Sequence, residues 1–503
     1  MNPQPGKVYL IGAGPGDPDL LTVRGRDRLA RADVVLYDYL AGPRVLEWTR
    51  PGAELYCLGR HGQGKLWKQP DINAKMVEAA LAGRTVARLK GGDPSVFGRM
   101  AEELDALTAA GLEFEIVPGI TAAAASGAYA GVTITDRDQA SCVTFMTGHE
   151  QPEKQEETLD YAALARLPGT LVVYMGVTTA QQWSSRLLEH GKPADTPVLL
   201  VRRCSLPDQQ AFECRLDEVA TVLAPGKVRP PVVAIVGPVA RRGEAMEWFS
   251  GRPLFGQTVL VTRPRHQAGE MVDRLRELGA EVLQQPAIKI GPAPDPAALE
   301  DAAARCGEFD WIAFSSSNGV NNFLEAVYAT GADARRLGGV RLAAIGPATA
   351  MALADHRLRA DLCPEEYRAE ALADAMAPQC QGKRVLLVRA SRGREVLAEQ
   401  LSAAGAEVQQ VVAYESSDVT TPDADIAEAL AAGRVQWTTV TSSAIARSLV
   451  GLYGDQLSGT SLVAISPLTA GVLEELGRPA DVVAREYTAE GVIAAILQAA
   501  GGA

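Results

Sequence analysis

Val8-Tyr9-Leu10-Ile11-Gly12-Ala13-Gly14-Pro15-Gly16-Asp17-Pro18 decides the fold. A short apolar run stopped by turn residues reads as a buried strand. Glycines permit positive φ and close backbone approach, so the loop is either a tight turn or a place where a ligand meets the main chain. It is not GxGxxG, because Asp17 takes the sixth position, and no GK[ST] follows, so it is not a P-loop. The same grammar returns at Lys90-Gly91-Gly92-Asp93-Pro94, behind the apolar run at 85–89. An acid beside each loop would repel pyrophosphate, so the pair suits a cationic or neutral adenosyl ligand better than a dinucleotide. Taken singly, either loop is equally well accounted for as a β-turn of Asp, Gly and Pro.

Outward from these loops, apolar runs at 33–37, 141–146, 170–174, 197–201 and 232–236 alternate with Ala/Leu-rich helical patterns, which reads as α/β. A polar, Gly/Pro-bearing connector follows, from Arg241-Arg242-Gly243 through 244–249 to Ser250-Gly251-Arg252-Pro253. A new strand starts at 258–262, so the main boundary falls near residue 250. The expected division is 1–247 (lobes 5–117 and 120–245), a linker at 248–256, and 257–503.

The second half contains a duplication. Val259-Leu260-Val261-Thr262-Arg263 matches Val385-Leu386-Leu387-Val388-Arg389 at an offset of 126, as does Gly279-Ala280-Glu281-Val282 with Gly405-Ala406-Glu407-Val408. After a six-residue contraction, 340–375 against 460–495 gives 14 identities in 36 positions, among them Pro347/Pro467, Thr349/Thr469 and Asp361/Asp481. Two similar α/β lobes make a cleft, a favoured place for ligands. The expected lobes are 257–289 with 415–503, and 293–411.

Composition narrows the functional classes. With 49 Lys+Arg against 61 Asp+Glu, the net charge of −12 lacks the footprint of a nucleic-acid binder. No apolar stretch approaches the ~18–20 residues that span a bilayer, and no leader pattern stands at the N-terminus. Seven Cys without a CxxC pair and five scattered His argue against a disulfide framework and a metal site. The expectation is a cytoplasmic, metal-free, multi-domain protein.

The first half resembles uroporphyrinogen-III C-methyltransferase, of the tetrapyrrole methylase family, over about residues 5–240. The resemblance is carried by GAGPGDPDLLT at 12–22, VVLYD at 34–38, RLKGGDPSVFGR at 88–99, VPGIT at 117–121, Thr147-Gly148-His149 and Tyr174-Met175-Gly176. It implies a two-lobed α/β methylase that is homodimeric and holds S-adenosyl-L-methionine between its lobes. By motif, Pro15, Gly91, Gly92, Asp93, Val96, Thr121, Ala122 and Met175 would contact that cofactor, with Cys204 and Val232 at later contact positions. Asp38 matches the family's proton acceptor; a strand-end Asp is otherwise a helix cap.

Two positions depart from the family. Arg60 stands where a lysine proton donor is usual, and a guanidinium that keeps its proton is a poor general acid. Arg60 is therefore expected to anchor a substrate carboxylate. The stretch Thr133-Ile134-Thr135-Asp136-Arg137 also departs from the family's usual Pro-Leu-Thr-His-Arg. Uroporphyrinogen is a polycarboxylate, and Arg60, His61, Lys65, Lys68, Arg84, Arg88, Lys90 and Arg99 cluster within 40 residues. They are expected to hold it through charge-assisted bonds. Singly, each such cation reads as a solvated one.

The second half lacks a nucleophilic or acid/base constellation and repeats Ser/Thr at strand-to-helix turns: 315–318, 347–349, 441–443 and 467–469. Each is a plain N-cap or part of an anion-binding helix end. Over about 257–498 this half resembles uroporphyrinogen-III synthase, through TVLVTRP, FSSSNGV, AIGPATA, GKRVLLVRA, TSSAIAR and REYTAEG. The resemblance implies closure of hydroxymethylbilane with inversion of its last ring. Tyr414 matches the tyrosine that assists loss of hydroxide, and Thr349 and Thr469 match polar cleft positions. Together the halves imply a bifunctional enzyme that makes uroporphyrinogen III and methylates it twice to precorrin-2. The alternative is a methylase for another tetrapyrrole, or for a protein or RNA, with a second half that only binds tetrapyrrole.

Overall fold

The computed structural model describes residues 4–59, 66–149, 159–241, 246–393 and 395–501. The chain forms two compact units, Met1–Gln257 with Leu275–Glu281 and Thr258–Arg274 with Val282–Ala503. No helix among the described residues is long and apolar enough to cross a membrane.

The first unit opens on a five-stranded parallel sheet made of β1 (Val8–Gly12), β2 (Val34–Tyr37), β3 (Glu54–Cys57), β4 (Val86–Lys90) and β5 (Phe114–Val117), in the order β3-β2-β4-β1-β5. Side chains alternate across it with period two. Val8 and Leu10 join Met76 and Leu107 in one core, while Tyr9 and Ile11 join Leu29 and Val35 in another. Burial on both faces is why β1 reads as an unbroken apolar run. The edge strands β3 and β5 are mostly exposed, and the sequence shows no apolar run at either.

A second sheet holds β6 (Val143–Thr147), β7 (Thr170–Tyr174), β8 (Pro197–Arg202), β9 (Gln210–Arg215) and β10 (Val232–Val236), ordered β6-β7-β10-β8-β9. Only β6 and β7 pair in parallel; the other three pairings are antiparallel. The stretch 248–256, expected as a linker, is packed rather than loose. Phe249 and Leu254 are buried. Phe249 lies 4.6 Å from the Tyr129 ring, and the Trp248 indole N–H donates to the Ala128 carbonyl at 2.8 Å. Aromatic burial outweighs the polar, Gly-bearing character of the segment.

The second unit holds two further sheets. One is ordered β12-β11-β18-β19-β20, from β11 (Thr258–Val261), β12 (Glu281–Gln284), β18 (Trp437–Val440), β19 (Ser461–Ala464) and β20 (Val482–Val483). The other is ordered β13-β17-β16-β14-β15, from β13 (Ile288–Gly291), β14 (Trp311–Phe314), β15 (Arg341–Ala344), β16 (Arg384–Ala390) and β17 (Glu407–Asp418). By the 126-residue offset, β11 matches β16 and β14 matches β18. Each lobe therefore joins the front of one repeat to the back of the other. The lobe limits differ from those expected at 289 and 415. Ile288 pairs antiparallel with Asp418, which holds 288–291 and the end of β17 in the second lobe's sheet.

Candidate active sites

Three glycines close the end of the first sheet. A side-chain carbon on Gly119 would stand 2.3 Å from the Gly92 carbonyl oxygen and 2.7 Å from Gly12, and one on Gly12 would stand 2.5 Å from the Gly119 nitrogen. Only glycine lets these backbones meet. The two loops then zip together, with the Gly92 N–H donating to the Gly14 carbonyl at 2.7 Å and the Gly14 N–H donating back at 3.2 Å. Pro15 follows, partly exposed. Gly91 passes Leu40 so closely that a Cβ there would meet the Leu40 Cβ at 2.9 Å. A Cβ on Gly92, whose φ is +70°, would stand 3.8 Å from the Thr121 Cα and the Ala122 nitrogen. Its absence leaves open backbone between the loop and the Thr121–Ala122 turn.

Asp93 ties that turn to the loop by accepting from the Gly119 N–H at 3.0 Å and the Ser95 N–H at 2.8 Å. Burial would raise its carboxyl, but the Ser95 hydroxyl and the two N–H donors outweigh it and hold the pKa below the ordinary value. Val96 is partly buried beside it. Thr121 bonds the Tyr174 hydroxyl at 2.6 Å, and the Ala123 N–H donates to the same oxygen at 2.9 Å. Burial raises the Tyr174 phenol against the pull of those bonds. Met175, next along the chain, is half-exposed with φ +54°. Left-handed backbone at a non-glycine residue is strained, and strain of this kind gathers at functional sites. Pro15, Gly91, Gly92, Asp93, Val96, Thr121, Ala122 and Met175 thus lie on the glycine loops and on the Thr121 turn and β7 end that Tyr174 joins.

Cys204 and Val232 do not share that open position. Both are buried in the second lobe, Cys204 against Leu199, Val201 and Ile235, and Val232 against Val228 and Leu200. Burial pushes the Cys204 thiol up to about 12. The turn around Cys204 instead reaches the first loop through its neighbour, the Ser205 hydroxyl accepting from the Asp17 N–H at 3.0 Å. Burial also raises the Asp17 carboxyl, to which Tyr129 donates at 3.4 Å.

Asp38 does not cap the short helix after it. Its carboxylate pairs with Arg88 at 2.8 Å, Arg88 pairs with Glu103 at 2.9 Å, and Glu103 pairs with Lys90 at 2.7 Å. The Glu103 side chain is fully buried, while Asp38 keeps a third of its side chain exposed. Burial would lower Arg88, but the Asp38 and Glu103 charges overcome it and raise the guanidinium above its usual value. Burial and the Arg88 charge push Lys90 down. Lys90, expected to hold a substrate carboxylate, is 1% exposed and spends its ammonium on Glu103 inside the chain. Arg84 is taken by Glu54 and the exposed Arg99 by Glu102, which leaves Lys68 as the exposed cation of the cluster without an ion pair among the described residues. Arg60, His61 and Lys65 lie outside the described residues. Glu103 was missed because nothing local marks it; its role depends on strand β4 and the helix Met100–Ala109 meeting.

In the second unit three of the four expected Ser/Thr turns carry a serine helix cap, at Ser316, Ser442 and Ser466. Ser316 accepts from the Gly319 N–H at 3.1 Å and its duplicate Ser442 from the Ile445 N–H at 3.2 Å. Tyr414 is buried, with its hydroxyl 3.0 Å from the Ser316 hydroxyl. Thr349 and Thr469 are 4% and 2% exposed. Expected at polar cleft positions, they sit in the third places of their helices, where the first turn folds them inward. Ser466 caps its helix through the Thr469 N–H at 3.4 Å, whereas the matching residue in the other repeat is Gly346.

Two family models match the chain in tandem: tetrapyrrole (corrin/porphyrin) methylases over residues 7–220, and uroporphyrinogen-III synthase HemD over 269–494. Together they define a two-part enzyme of tetrapyrrole biosynthesis, a uroporphyrinogen-III C-methyltransferase domain followed by a uroporphyrinogen-III synthase domain. The porphyrin biosynthesis protein HemD of Ruminiclostridium josui is 32% identical over 499 residues, covering 99% of each chain. The chain belongs to that protein's family. The uroporphyrinogen-III C-methyltransferase of Bacillus subtilis is 36% identical over 332 residues, 66% of this chain and 68% of that one. The S-adenosyl-L-methionine-dependent uroporphyrinogen III methyltransferase of Methanosarcina barkeri is 44% identical over 234 residues, 46% of this chain and 92% of that one.

Proposed function

We propose that the second unit closes hydroxymethylbilane to uroporphyrinogen III and that the first unit methylates this product twice to precorrin-2, toward sirohaem and cobalamin. The reading takes residues 1–247 as the methylase and 257–503 as the synthase. It is carried by the backbone junction of Gly12, Gly92 and Gly119 in a chain matched along its whole length by a porphyrin biosynthesis protein.

The methyl donor is S-adenosyl-L-methionine, which supplies an electrophilic methyl group on a sulfonium. The residues present fit it: the missing Gly92 Cβ leaves open backbone against Thr121 and Ala122, and Met175 adds an exposed apolar side chain. In this reading the loops position and desolvate the reacting groups. Asp38, held by Arg88 and one-third exposed, accepts the proton released from the methylated ring. Tyr414 and its Ser316 partner assist loss of hydroxide in the second unit, and Arg60 anchors substrate. The enzyme acts in the cytoplasm as a homodimer through the first unit, where Leu40, Phe97, Ile120 and Met175 are exposed apolar side chains; light scattering tests the dimer.

The deciding experiment incubates the chain anaerobically with fresh hydroxymethylbilane, with and without S-adenosyl-L-methionine. Type III isomer without the cofactor, and a gain of two methyl groups with it, are expected. Type I product alone would sink the synthase reading, and failure to methylate authentic uroporphyrinogen III would sink the methylase reading.

A further inference from the structure

Arg263, just beyond β11, is half-buried and has no hydrogen bond or ion pair among the described residues. Its duplicate, Arg389, is fully engaged. It pairs with Glu395, donates to Gln410 Oε1 at 2.7 Å and donates to the Gly393 carbonyl at 3.1 Å. The repeat itself supplies the reason for the difference: the position matching Glu395 is Gly269. One lobe thus neutralises its arginine from within, and the other leaves it bare.

The neighbouring strand repeats the asymmetry. Arg263 and Thr441 each lie two residues past the Val261–Thr439 pair of the parallel strands β11 and β18. The Thr441 hydroxyl oxygen is buried and has no hydrogen-bond partner among the described residues. Its duplicate, Ser315, donates to the Val388 carbonyl at 3.3 Å. Two adjacent strand ends in one lobe therefore carry unsatisfied donors, where the matching ends in the other lobe are satisfied. Burial lowers the Arg263 guanidinium and the Glu490 charge opposes it, yet no ion pair closes between the two.

The location is one where a parallel sheet receives ligands. From β11 the chain leaves toward β12 on one side, and from β18 toward β19 on the other. The crevice beyond strand ends at such a reversal is the usual binding place in open α/β sheets. A guanidinium offers paired donors in a plane that matches a carboxylate, and a hydroxyl beside it supplies a third.

We propose that Arg263 and Thr441 form a carboxylate subsite for one acidic side chain of the tetrapyrrole handled by the second unit, and that the matching Arg389–Ser315 position is closed to it. This rests on the synthase reading above. Two lobes built from one repeat would accept either end of a linear polycarboxylate alike. A single open anchor breaks that symmetry and fixes which end enters which lobe.

Uroporphyrinogen III, titrated anaerobically into the full chain without S-adenosyl-L-methionine, is expected at two sites in the wild type. Arg263→Met is expected to weaken one of them at least tenfold and to raise KM for hydroxymethylbilane by a similar factor. Arg263→Lys should recover part of the loss, and Thr441→Val should weaken the same site by a smaller factor. Arg389→Met should lower the melting temperature and keep both affinities within twofold. Methylation of supplied uroporphyrinogen III reports that the first unit stays folded, and the second melting transition reports the same for the other unit. Both sites retained within twofold in Arg263→Met would overturn the subsite, as would a wild type with one site that Arg263→Met leaves untouched. Type III formation by the wild type checks the synthase reading separately. A chain that makes type III with KM unmoved in Arg263→Met overturns the subsite alone, and if only type I forms, the titration still decides it.

Discussion

The two units handle charge in opposite ways. At the sheet end of the first, Asp38, Arg88, Glu103 and Lys90 form a chain of ion pairs, largely out of water and neutral in sum. At the sheet ends of the second, the groups are hydroxyls that cap helices, with Arg263 left unpaired among the described residues. The chemistry proposed for each accounts for the contrast. Carbon methylation must dispose of a proton, so an acceptor has to be held in one place. Closing a bilane asks chiefly that a polycarboxylate be folded, which backbone caps and one half-buried cation can do.

The comparison breaks first, if it breaks, at Glu103. Replacing it by Gln leaves the buried Arg88 and Lys90 without their shared counter-charge, and removing one partner of a buried pair costs about 3–5 kcal/mol. We expect Glu103→Gln to lower the first unit's melting transition by many degrees and to abolish methyl transfer. Type III formation and the second transition should be unchanged. Calorimetry that resolves the two transitions checks this. If they fall together, the units are not energetically separate.

Glycines give the next largest contrast. Gly119→Ala drives a methyl group into the Gly92 carbonyl, and overpacking of this kind costs about 1–3 kcal/mol. It should also reduce affinity for S-adenosyl-L-methionine, read by equilibrium dialysis. Gly471, inside the helix Pro467–Glu475, meets nothing within 4 Å. Gly471→Ala should therefore stabilise the second unit by about 0.4–1 kcal/mol. Opposite signs for one chemical change would show that glycine serves a ligand-facing backbone in one unit and is incidental in the other.

Within the second unit, the duplicate caps sharpen the comparison. Ser442→Ala loses a cap worth about 0.5–2 kcal/mol. Ser316→Ala loses the same cap and strands the buried Tyr414 hydroxyl, adding the cost of an unpaired buried group, about 1–3 kcal/mol. Tyr414→Phe should lower type III formation more than Ser442→Ala does, at smaller cost in denaturation midpoint than Ser316→Ala. Equal loss of activity in all three would leave Tyr414 a packing residue.

How far the sequence could be read follows the same division. The strands buried on both faces, the glycine loops and the duplication stand out, because each imposes a local pattern: an unbroken apolar run, a turn chemistry, a repeated string. Strands β3 and β5 are half-solvated edges and carry no such run. Lys90 reads as a surface cation because its partner, Glu103, is 13 residues away on a helix that only the fold brings back. Thr349 and Thr469 read as polar cleft positions by motif, and their burial was not legible because the motif gives their turn but not the direction in which the helix points them. The bareness of Arg263 was within reach, since aligning the repeats sets Gly269 against Glu395. What that alignment could not supply is that Thr441 lies beside it.

The smallest expected effect concerns acid stability. Asp93 is held below its ordinary pKa of 3.8 by bonds from Ser95 and from the Gly119 N–H, against the cost of burial. A carboxyl depressed in the folded state binds fewer protons there than in the unfolded chain. Its contribution is therefore fully present above the unfolded value and is lost as pH falls through the lower, folded one. Lys90 is also depressed, so stability again rises with pH, but its window ends at the ordinary lysine value of 10.5 and acid does not reach it. Asp93→Asn keeps an oxygen for the Gly119 N–H and removes the titration. The first unit's melting temperature should then fall less steeply between about pH 5 and about pH 3, while the second unit's profile stays as it was. An unchanged slope in the first unit would mean that the bonds at Asp93 position the Thr121 turn without contributing to acid stability.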